Sequence, residues 1–168
     1  MSSRVVIKLG GGLITDKGSM KKFDPDSVER VADSISSIVG MGVPVVIVHG
    51  AGSFGHLLAK EWSISKGVDQ KIAKEQRMIV EEIRSDMREL NGLVIDRLSD
   101  SGLQSEGLPP SEWAIGTGSG FKGDITNFER VVEAPIPITF GDVVDTNDQQ
   151  EFGILSGDDL MVRLSREL

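Results

Sequence analysis

The sequence predicts a single α/β domain in which a mostly parallel sheet is sandwiched by helices. One observation is the order of the first segments: an apolar strand at 4–9, an amphipathic helix, and a second apolar strand at 43–48. A strand–helix–strand unit of this kind normally pairs its two strands in parallel. A second observation is size and composition. With 168 residues, 39% hydrophobic and 26% charged, the chain suits one compact soluble domain.

The segment "FDPDSVERVADSISSIVG" has both the ends and the periodicity of a helix. Asp24 is the expected N-cap, Pro25 occupies the first helical position, and Gly40 is expected just past the end. The apolar residues fall on one stripe, as in a helix with a single buried face; they are Val28, Val31, Ala32, Ile35, Ile38 and Val39. The β-branched strand that follows is continuous, which is typical of a strand covered on both faces.

The remaining elements follow from the same signals. Helical spacing of apolar residues predicts a long helix over about 70–98, and the glycine-dense 116–124 predicts a hairpin or lid. A further strand is predicted at Ile136 to Phe140, then a polar hairpin over 143–154. The stretch "SGDDLMVRLSREL" is expected to open a final helix.

Composition excludes several function classes. The formal charge of −8, from 26 acidic and 18 basic side chains, argues against a nucleic-acid or anionic-membrane partner. Without cysteine there is no disulfide, thiol catalysis or thiolate metal site. The N-terminal apolar run is too short for a signal peptide, and no segment approaches a membrane span. We therefore expect a cytoplasmic protein.

The stretch "GAGSFG" spells a dinucleotide-binding pattern at Gly50, Gly52 and Gly55. That fingerprint also needs a second strand ending in an acid within about 30 residues, whereas helical sequence follows here. The turn "GGGLITDKG" is not a Walker A loop either, because Lys17 is followed by Gly18 rather than by Ser or Thr. For "GTGSGFKGD", a hairpin tip is favoured over a phosphate loop, since no helix start follows at once.

Two glycine turns, at 10–12 and 50–52, follow the first two parallel strands. They should lie on the same edge of the sheet, where ligands bind in such folds, and glycine lets backbone N–H groups converge on an anion. Lys8 lies one residue before the end of the first strand, Lys17 lies in the loop beyond it, and Asp158 is at the start of the last helix. Lysines, amides and an acid in one cleft suit phosphoryl transfer, which needs mostly positioning and charge neutralisation.

Together, "IKLGGGLITDK", "VHGAGSFGH" and "GILSGDD" resemble the amino acid kinase superfamily and, within it, the isopentenyl phosphate kinases of the archaeal type. The resemblance extends from Ile7 to the C-terminus. It implies ATP-dependent phosphorylation of isopentenyl phosphate to isopentenyl diphosphate in isoprenoid biosynthesis, with ATP and Mg²⁺ and in a homodimer. It implies no side chain as a metal ligand.

The resemblance also implies a role for each matching residue. The expected ATP-binding residues are Lys8, Leu9, Gly10, Gly11, Gly12 and Gly52. The expected substrate-binding residues are Ala51, His56 and Gly157. The expected catalytic residues are Lys8, Lys17, His56 and Asp158, with Lys17 stabilising the transition state and Asp158 orienting the lysines.

The two histidines of the chain flank one turn, and we expect different roles for them. His56, at the start of the helix after the turn, is placed to donate a hydrogen bond to a substrate phosphate, aided by the positive helix end. A purely structural histidine is the alternative. His49 closes a buried strand and is expected to bond to backbone.

The chain departs from the family pattern in two ways. Gly12 stands where the family usually has Ser, so a hydroxyl near the phosphates is missing. The family's later segment, which supplies the adenine and ribose pocket, has no counterpart here. We therefore expect residues 1–168 to be an N-terminal substrate- and phosphate-binding lobe without the C-terminal nucleotide lobe.

Two other functions stay open on the sequence. One is a related kinase of the same fold that acts on another small phosphate or phosphonate. The other is a non-catalytic anion-binding module. A five-carbon isoprenoid tail would need an apolar hole behind His56, and we expect the long helix to line it around Ile72 to Ile83.

Overall fold

The computed structural model describes residues 4–16 and 18–168. Its helices and strands form three layers, with a sheet between two layers of helices and hairpins. The elements are, in chain order, β1 (Val5–Leu9), α1 (Gly11–Ile14), α2 (Pro25–Gly40), β2 (Val45–His49), α3 (Gly52–Glu61), α4 (Ala73–Asp100), β3 (Ser105–Gly107), α5 (Pro110–Trp113), β4 (Ala114–Ile115), β5 (Lys122–Gly123), β6 (Ile136–Phe140), β7 (Asp142–Asp145), β8 (Phe152–Leu155) and α6 (Gly157–Glu167).

Within the described ranges the central sheet has four parallel strands in the order β1-β2-β6-β3. The predicted parallel pairing of β1 and β2 is confirmed, as is the strand Ile136–Phe140. The edge strand β3 was not predicted. Its sequence Ser-Glu-Gly has no apolar pattern, and its place comes from pairing with β6.

The predicted start of α2 is confirmed, and its predicted end is wrong by one residue. The Asp24 carboxylate accepts a hydrogen bond of 3.1 Å from the Ser27 backbone N–H, and Pro25 begins the helix. Gly40 is the last helical residue rather than the one beyond it. Gly42 instead adopts the left-handed conformation after the helix, with φ of +77°.

Helices α2, α3 and α4 cover one face of the sheet, and the 28-residue α4 packs against α2, α3 and the strands β3 and β6. Two arginines of α4 hold the hairpin of β7 and β8. Arg84 Nε donates to the Val143 carbonyl at 2.9 Å, and Arg77 donates two hydrogen bonds to the Glu151 carboxylate at 2.7 and 2.9 Å. The predicted polar hairpin is thus confirmed, and it forms one wall beside α4.

The other face of the sheet is covered by α6 and by the short hairpin of β4 and β5, which confirms the hairpin predicted in 116–124. Successive residues of a strand point to opposite faces. In β2, Ile47 therefore packs towards α4 while Val46 and Val48 pack towards α6. No helix in the described part of the chain is both long and apolar enough to cross a bilayer.

Candidate active site

The two predicted glycine turns do more than share an edge of the sheet: they pack backbone against backbone. A β-carbon on Gly11 would lie 2.3 Å from the Gly52 nitrogen, and one on Gly50 would lie 2.5 Å from the Gly11 nitrogen. Both distances are far below any real contact of a β-carbon. The close approach of the turns therefore requires glycine at these positions.

A buried hydroxyl fixes the first turn to the start of α3. Thr15 Oγ1 donates to the Gly11 carbonyl at 2.7 Å and accepts from the Ser53 backbone N–H at 3.0 Å. Gly52, between them in space, has φ of +50° and leaves no room for a side chain, since its β-carbon would lie 2.1 Å from Thr15 Oγ1. The sequence analysis did not single out Thr15.

Beside the turns lies a cavity of about 200 Å³. It is smaller than the roughly 300–1,000 Å³ of sites for drug-sized molecules, so it suits a small ligand. Its polar lining residues include Lys8, His56, Asp142, Ser156 and Asp158, with the glycines Gly11, Gly50, Gly55, Gly141 and Gly157. Its apolar lining residues are Ala51, Ala59, Ile83, Met87, Val143 and Ile154.

The apolar wall confirms one part of the sequence expectation and corrects another. Helix α4 does contribute to the cavity, through Ile83 and Met87. Ile72 does not line it. That residue precedes α4, is 37% exposed, and borders a separate surface depression with Trp62.

Lys8 and Asp158 form an ion pair at the mouth of the cavity. Lys8 lies on the face of β1 that points towards α6, and the N-terminal turn of α6 carries Asp158. The Asp158 side chain is 80% exposed and that of Lys8 is 36% exposed. An ion pair so open to water contributes little stability, so Lys8 can exchange this carboxylate for a phosphate at small cost.

Helix α6 adds a helix N-terminus to the cavity. Its N-cap Ser156 accepts a hydrogen bond of 3.1 Å from the Asp159 backbone N–H. Gly157, the first helical residue, lines the cavity. The backbone N–H groups of a first helical turn lack partners within the helix and favour anions.

His56 lies between two neighbouring depressions. It is exposed, occupies the second turn of α3, and lines the cavity together with Gly11. The same two residues also line a shallower groove of about 380 Å³, with Gly12, Gly52, Ser53 and Leu57. The cavity and the groove therefore adjoin one another and share one glycine and one histidine.

His49 is buried behind the second glycine turn, and the expectation that it bonds to backbone is confirmed. Its Nδ1 lies 2.9 Å from the Gly50 carbonyl oxygen, its Nε2 lies 3.2 Å from Asn91 Nδ2, and its ring stacks on Phe140 at 5.0 Å. Burial lowers the pKa of His49 from 6.5 to about 4, although the hydrogen bond to Gly50 acts in the opposite direction. The ring is therefore neutral at physiological pH.

Asp142, the first residue of β7, is a buried acid that the sequence analysis missed. It is 3% exposed. Its Oδ1 accepts from the Val143 N–H at 2.8 Å, and its Oδ2 has no hydrogen-bond partner among the described residues. Burial raises the pKa of Asp142 from 3.8 to about 7, against the lowering effect of the Val143 N–H and of Arg84 and Arg88. The available signal was an acid two residues beyond an apolar strand, in the stretch "ITFGD".

A sequence model of the amino acid kinase family matches residues 3–168. The chain belongs to the amino acid kinase family. The parallel sheet flanked by helices confirms the α/β fold class expected from the sequence. The chain is 31% identical over 169 residues to the isopentenyl phosphate kinase of Methanothermobacter thermautotrophicus. This alignment covers 98% of this chain and 63% of that protein.

Solved structures of isopentenyl phosphate kinases have the same fold as this amino acid kinase chain. An X-ray structure of an isopentenyl phosphate kinase matches with a TM-score of 0.87 and 30% sequence identity. The match covers 98% of this chain and 67% of the kinase chain. A second, described as the isopentenyl phosphate kinase substrate complex, has a TM-score of 0.82 and 28% identity, covering 99% and 65%. The chain spans just under two thirds of the length of the curated relatives it matches.

The amino acid kinase fold brings most of the predicted site residues together. Around the cavity are Lys8, Gly11, Ala51, His56, Gly157 and Asp158, and along the groove are Gly12 and Gly52. Leu9 and Gly10 are not among the described residues that line either depression. The Leu9 side chain is 1% exposed and its carbonyl already accepts from the Gly50 N–H at 2.9 Å. Lys17 lies outside the described residues.

Proposed function

We propose that this chain is the acceptor-binding lobe of a kinase that transfers the γ-phosphoryl group of ATP to isopentenyl phosphate, giving isopentenyl diphosphate. One observation carries the proposal. The same 200 Å³ cavity joins phosphate-binding groups (Lys8, His56 and the Gly157 helix end) to an apolar wall that includes Ile83 and Met87. A phosphate on a short apolar chain has this pair of requirements. The names of the relatives support the same substrate.

The polar groups are proposed to hold the acceptor phosphate. Backbone N–H groups at Ala51 and Gly157 and the His56 imidazole would donate to its oxygens. Lys8, released from Asp158, would follow the negative charge as it moves, and Asp158 would keep the ammonium group near the phosphates between turnovers. Positioning and charge neutralisation of this kind account for most of the catalysis in phosphoryl transfer.

In the proposed reaction an oxygen of the isopentenyl phosphate attacks the γ-phosphorus of ATP. The bond between that phosphorus and the β,γ-bridging oxygen breaks, and ADP leaves with the electron pair. The groove that adjoins the cavity at Gly11 and His56 is the proposed place of the nucleotide phosphates, over Gly12 and Gly52. Lys17 is proposed to stabilise the transferring group.

ATP supplies the phosphoryl group in this proposal, and Mg²⁺ neutralises charge on its phosphates. No group of three or more His, Asp, Glu or Cys side chains among residues 4–16 and 18–168 could hold a metal ion. Mg²⁺ commonly binds through substrate phosphates with few protein ligands. We therefore propose that the ion arrives on ATP.

A homodimer, which the family resemblance implies, is also part of the proposal. Light scattering measures the oligomeric state.

Calorimetry with three ligands tests the acceptor. The chain is titrated with isopentenyl phosphate, with inorganic phosphate and with isopentenol. Because each buried CH₂ group contributes about 0.8 kcal/mol, we expect isopentenyl phosphate to bind at least about tenfold more tightly than inorganic phosphate. Isopentenol should bind more weakly than either. Equal affinity for the two phosphates would overturn the proposal and favour a general anion-binding module.

A further inference from the structure

His49 makes three contacts that hold its ring in one orientation. It is the last residue of β2 and is fully buried. The ring lies between Phe140, the Asn91 amide and the Gly50 carbonyl, at 5.0 Å between ring centroids for Phe140 and at hydrogen-bond distance for the other two. His49 is not itself among the residues that line the cavity, so any effect of His49 on a ligand must act through its neighbours.

The contacts define which nitrogen of the ring carries the proton. The Gly50 carbonyl oxygen can only accept a hydrogen bond, so His49 Nδ1, which lies 2.9 Å from it, carries the proton and donates it. The neutral ring then accepts at Nε2, to which the Asn91 amide donates from Nδ2 at 3.2 Å.

Holding that carbonyl also sets the direction of the next N–H. The Gly50–Ala51 peptide is planar and trans, so its C=O and N–H point in opposite directions. The carbonyl points to the buried ring, and the Ala51 N–H therefore points away from it. Gly50 and Ala51 both line the cavity. The Ala51 N–H donates no hydrogen bond to an acceptor in the described part of the chain.

We propose that His49 is a positioning residue for the phosphate site: its Nδ1–H holds the Gly50 carbonyl so that the Ala51 N–H faces the cavity and binds an oxygen of the acceptor phosphate. This rests on the proposed function for the identity of the ligand. The same residue also ties in a third turn, because its own carbonyl accepts from the Gly141 N–H at 3.1 Å.

A matched pair of substitutions separates positioning from packing. His49→Asn keeps an N–H donor near the place of Nδ1, whereas His49→Gln can offer one only near the place of Nε2. Both remove the ring that stacks on Phe140, so both should lower the melting temperature by similar amounts. The difference between the two variants then reports the hydrogen bond to Gly50 rather than the lost packing.

The experiment measures isopentenyl phosphate affinity by calorimetry, together with melting temperature and the ¹⁵N spectrum of His49 without ligand. We expect the His49→Asn variant to bind within about threefold of the unaltered chain and the His49→Gln variant to bind at least tenfold more weakly, at similar melting temperatures. The spectrum should show a neutral ring protonated at Nδ1. Equal affinities for the two variants, or a ring protonated at Nε2, would overturn the role of His49. An unaltered chain that binds no isopentenyl phosphate, with the Nδ1–H ring observed, would instead overturn the proposed function and leave the ring geometry standing.

Discussion

Gly11 and Gly52, 41 positions apart in the sequence, touch through their backbones, and neither has room for a β-carbon. The contact joins the turn after β1 to the start of α3, so main chain packs directly on main chain between the two halves of the proposed phosphate site. Backbone contact of this kind has none of the rotamer freedom that would let two side chains adjust. The spacing of the two turns is therefore set by backbone contact where the phosphates are proposed to bind.

Gly11→Ala should therefore be strongly destabilising. The new β-carbon would stand 2.3 Å from the Gly52 nitrogen, so one of the turns must move. Overpacking of this kind typically costs about 1–3 kcal/mol of the free energy of unfolding, and we expect the upper end because the obstacle is backbone. Urea denaturation measures it. Gly92→Ala is the matched control: it lies within α4 with open space around it, and alanine there should stabilise by about 0.5–1 kcal/mol. A Gly11→Ala chain as stable as the parent would refute the contact.

Thr15→Val should loosen the same junction without adding bulk. The substitution removes the hydroxyl that accepts from the Ser53 N–H and donates to the Gly11 carbonyl. Leaving a buried donor unpaired costs about 1–3 kcal/mol, and isopentenyl phosphate should bind more weakly because the turn can shift. Thr15→Ser, which keeps the hydroxyl, should retain most of the affinity. Calorimetry and denaturation of the two variants measure this; identical behaviour of serine and valine would argue against the bridge.

Asp142 makes stability depend on pH. Its pKa is about 7 in the folded chain and 3.8 as the reference value, so between these values the folded state holds a proton that the unfolded state has lost. The stabilising contribution is full below pH 3.8 and is lost as the pH rises through 7. Comparison with Asp142→Asn cancels the opposite effect of His49, which acts between pH 4 and 6.5.

The stability advantage of the Asp142→Asn variant over the parent should therefore grow between pH 4 and 8. It should grow by at most about 4 kcal/mol, at about 1.4 kcal/mol for each pH unit between the two pKa values. Denaturation curves at a series of pH values give the difference directly. A difference that stays constant over this range would show that the carboxyl group titrates at its ordinary value.

His56→Ala should weaken isopentenyl phosphate binding with little change in stability. The side chain is exposed and lines the cavity, so its removal affects the ligand more than the fold. A charge-assisted hydrogen bond contributes about 1.5–3 kcal/mol, which corresponds to about 10- to 150-fold in affinity. His56→Gln keeps a donor and should recover part of the loss. Unchanged affinity of the alanine variant in calorimetry would leave only a structural histidine.

The parts of the fold that could be predicted are those with local signals. Residues close together in the sequence are enough to predict the β-branched run of β2, the Asp24 cap of α2 and the apolar spacing of α4. The glycine turns could be placed on one edge because parallel strands end on the same side. That the turns touch could not be predicted, since it depends on how far α3 approaches β1.

What the sequence did not predict depends on tertiary packing. Strand β3 has no apolar pattern and exists because β6 offers a free edge. Asp142 is an ordinary acid in sequence, and its burial at the start of β7 raises its pKa. Ile72 fits the helical period of α4 but precedes the helix and faces solvent near Trp62. The prediction for Ile72 failed because periodicity gives the buried face of a helix and not the residue at which the helix starts.

The central claim is that one cavity binds both the phosphate and the apolar tail of isopentenyl phosphate. Its most direct test is NMR on a chain labelled with ¹⁵N and at the methionine and isoleucine methyl groups, titrated with isopentenyl phosphate. We expect intermolecular NOEs from the isopentenyl protons to the methyl groups of Met87 and Ile83, a shift of the Ala51 amide resonance, and no NOE to Ile72. Tail NOEs to Ile72, or binding that leaves Met87 and Ile83 unperturbed, would contradict the account.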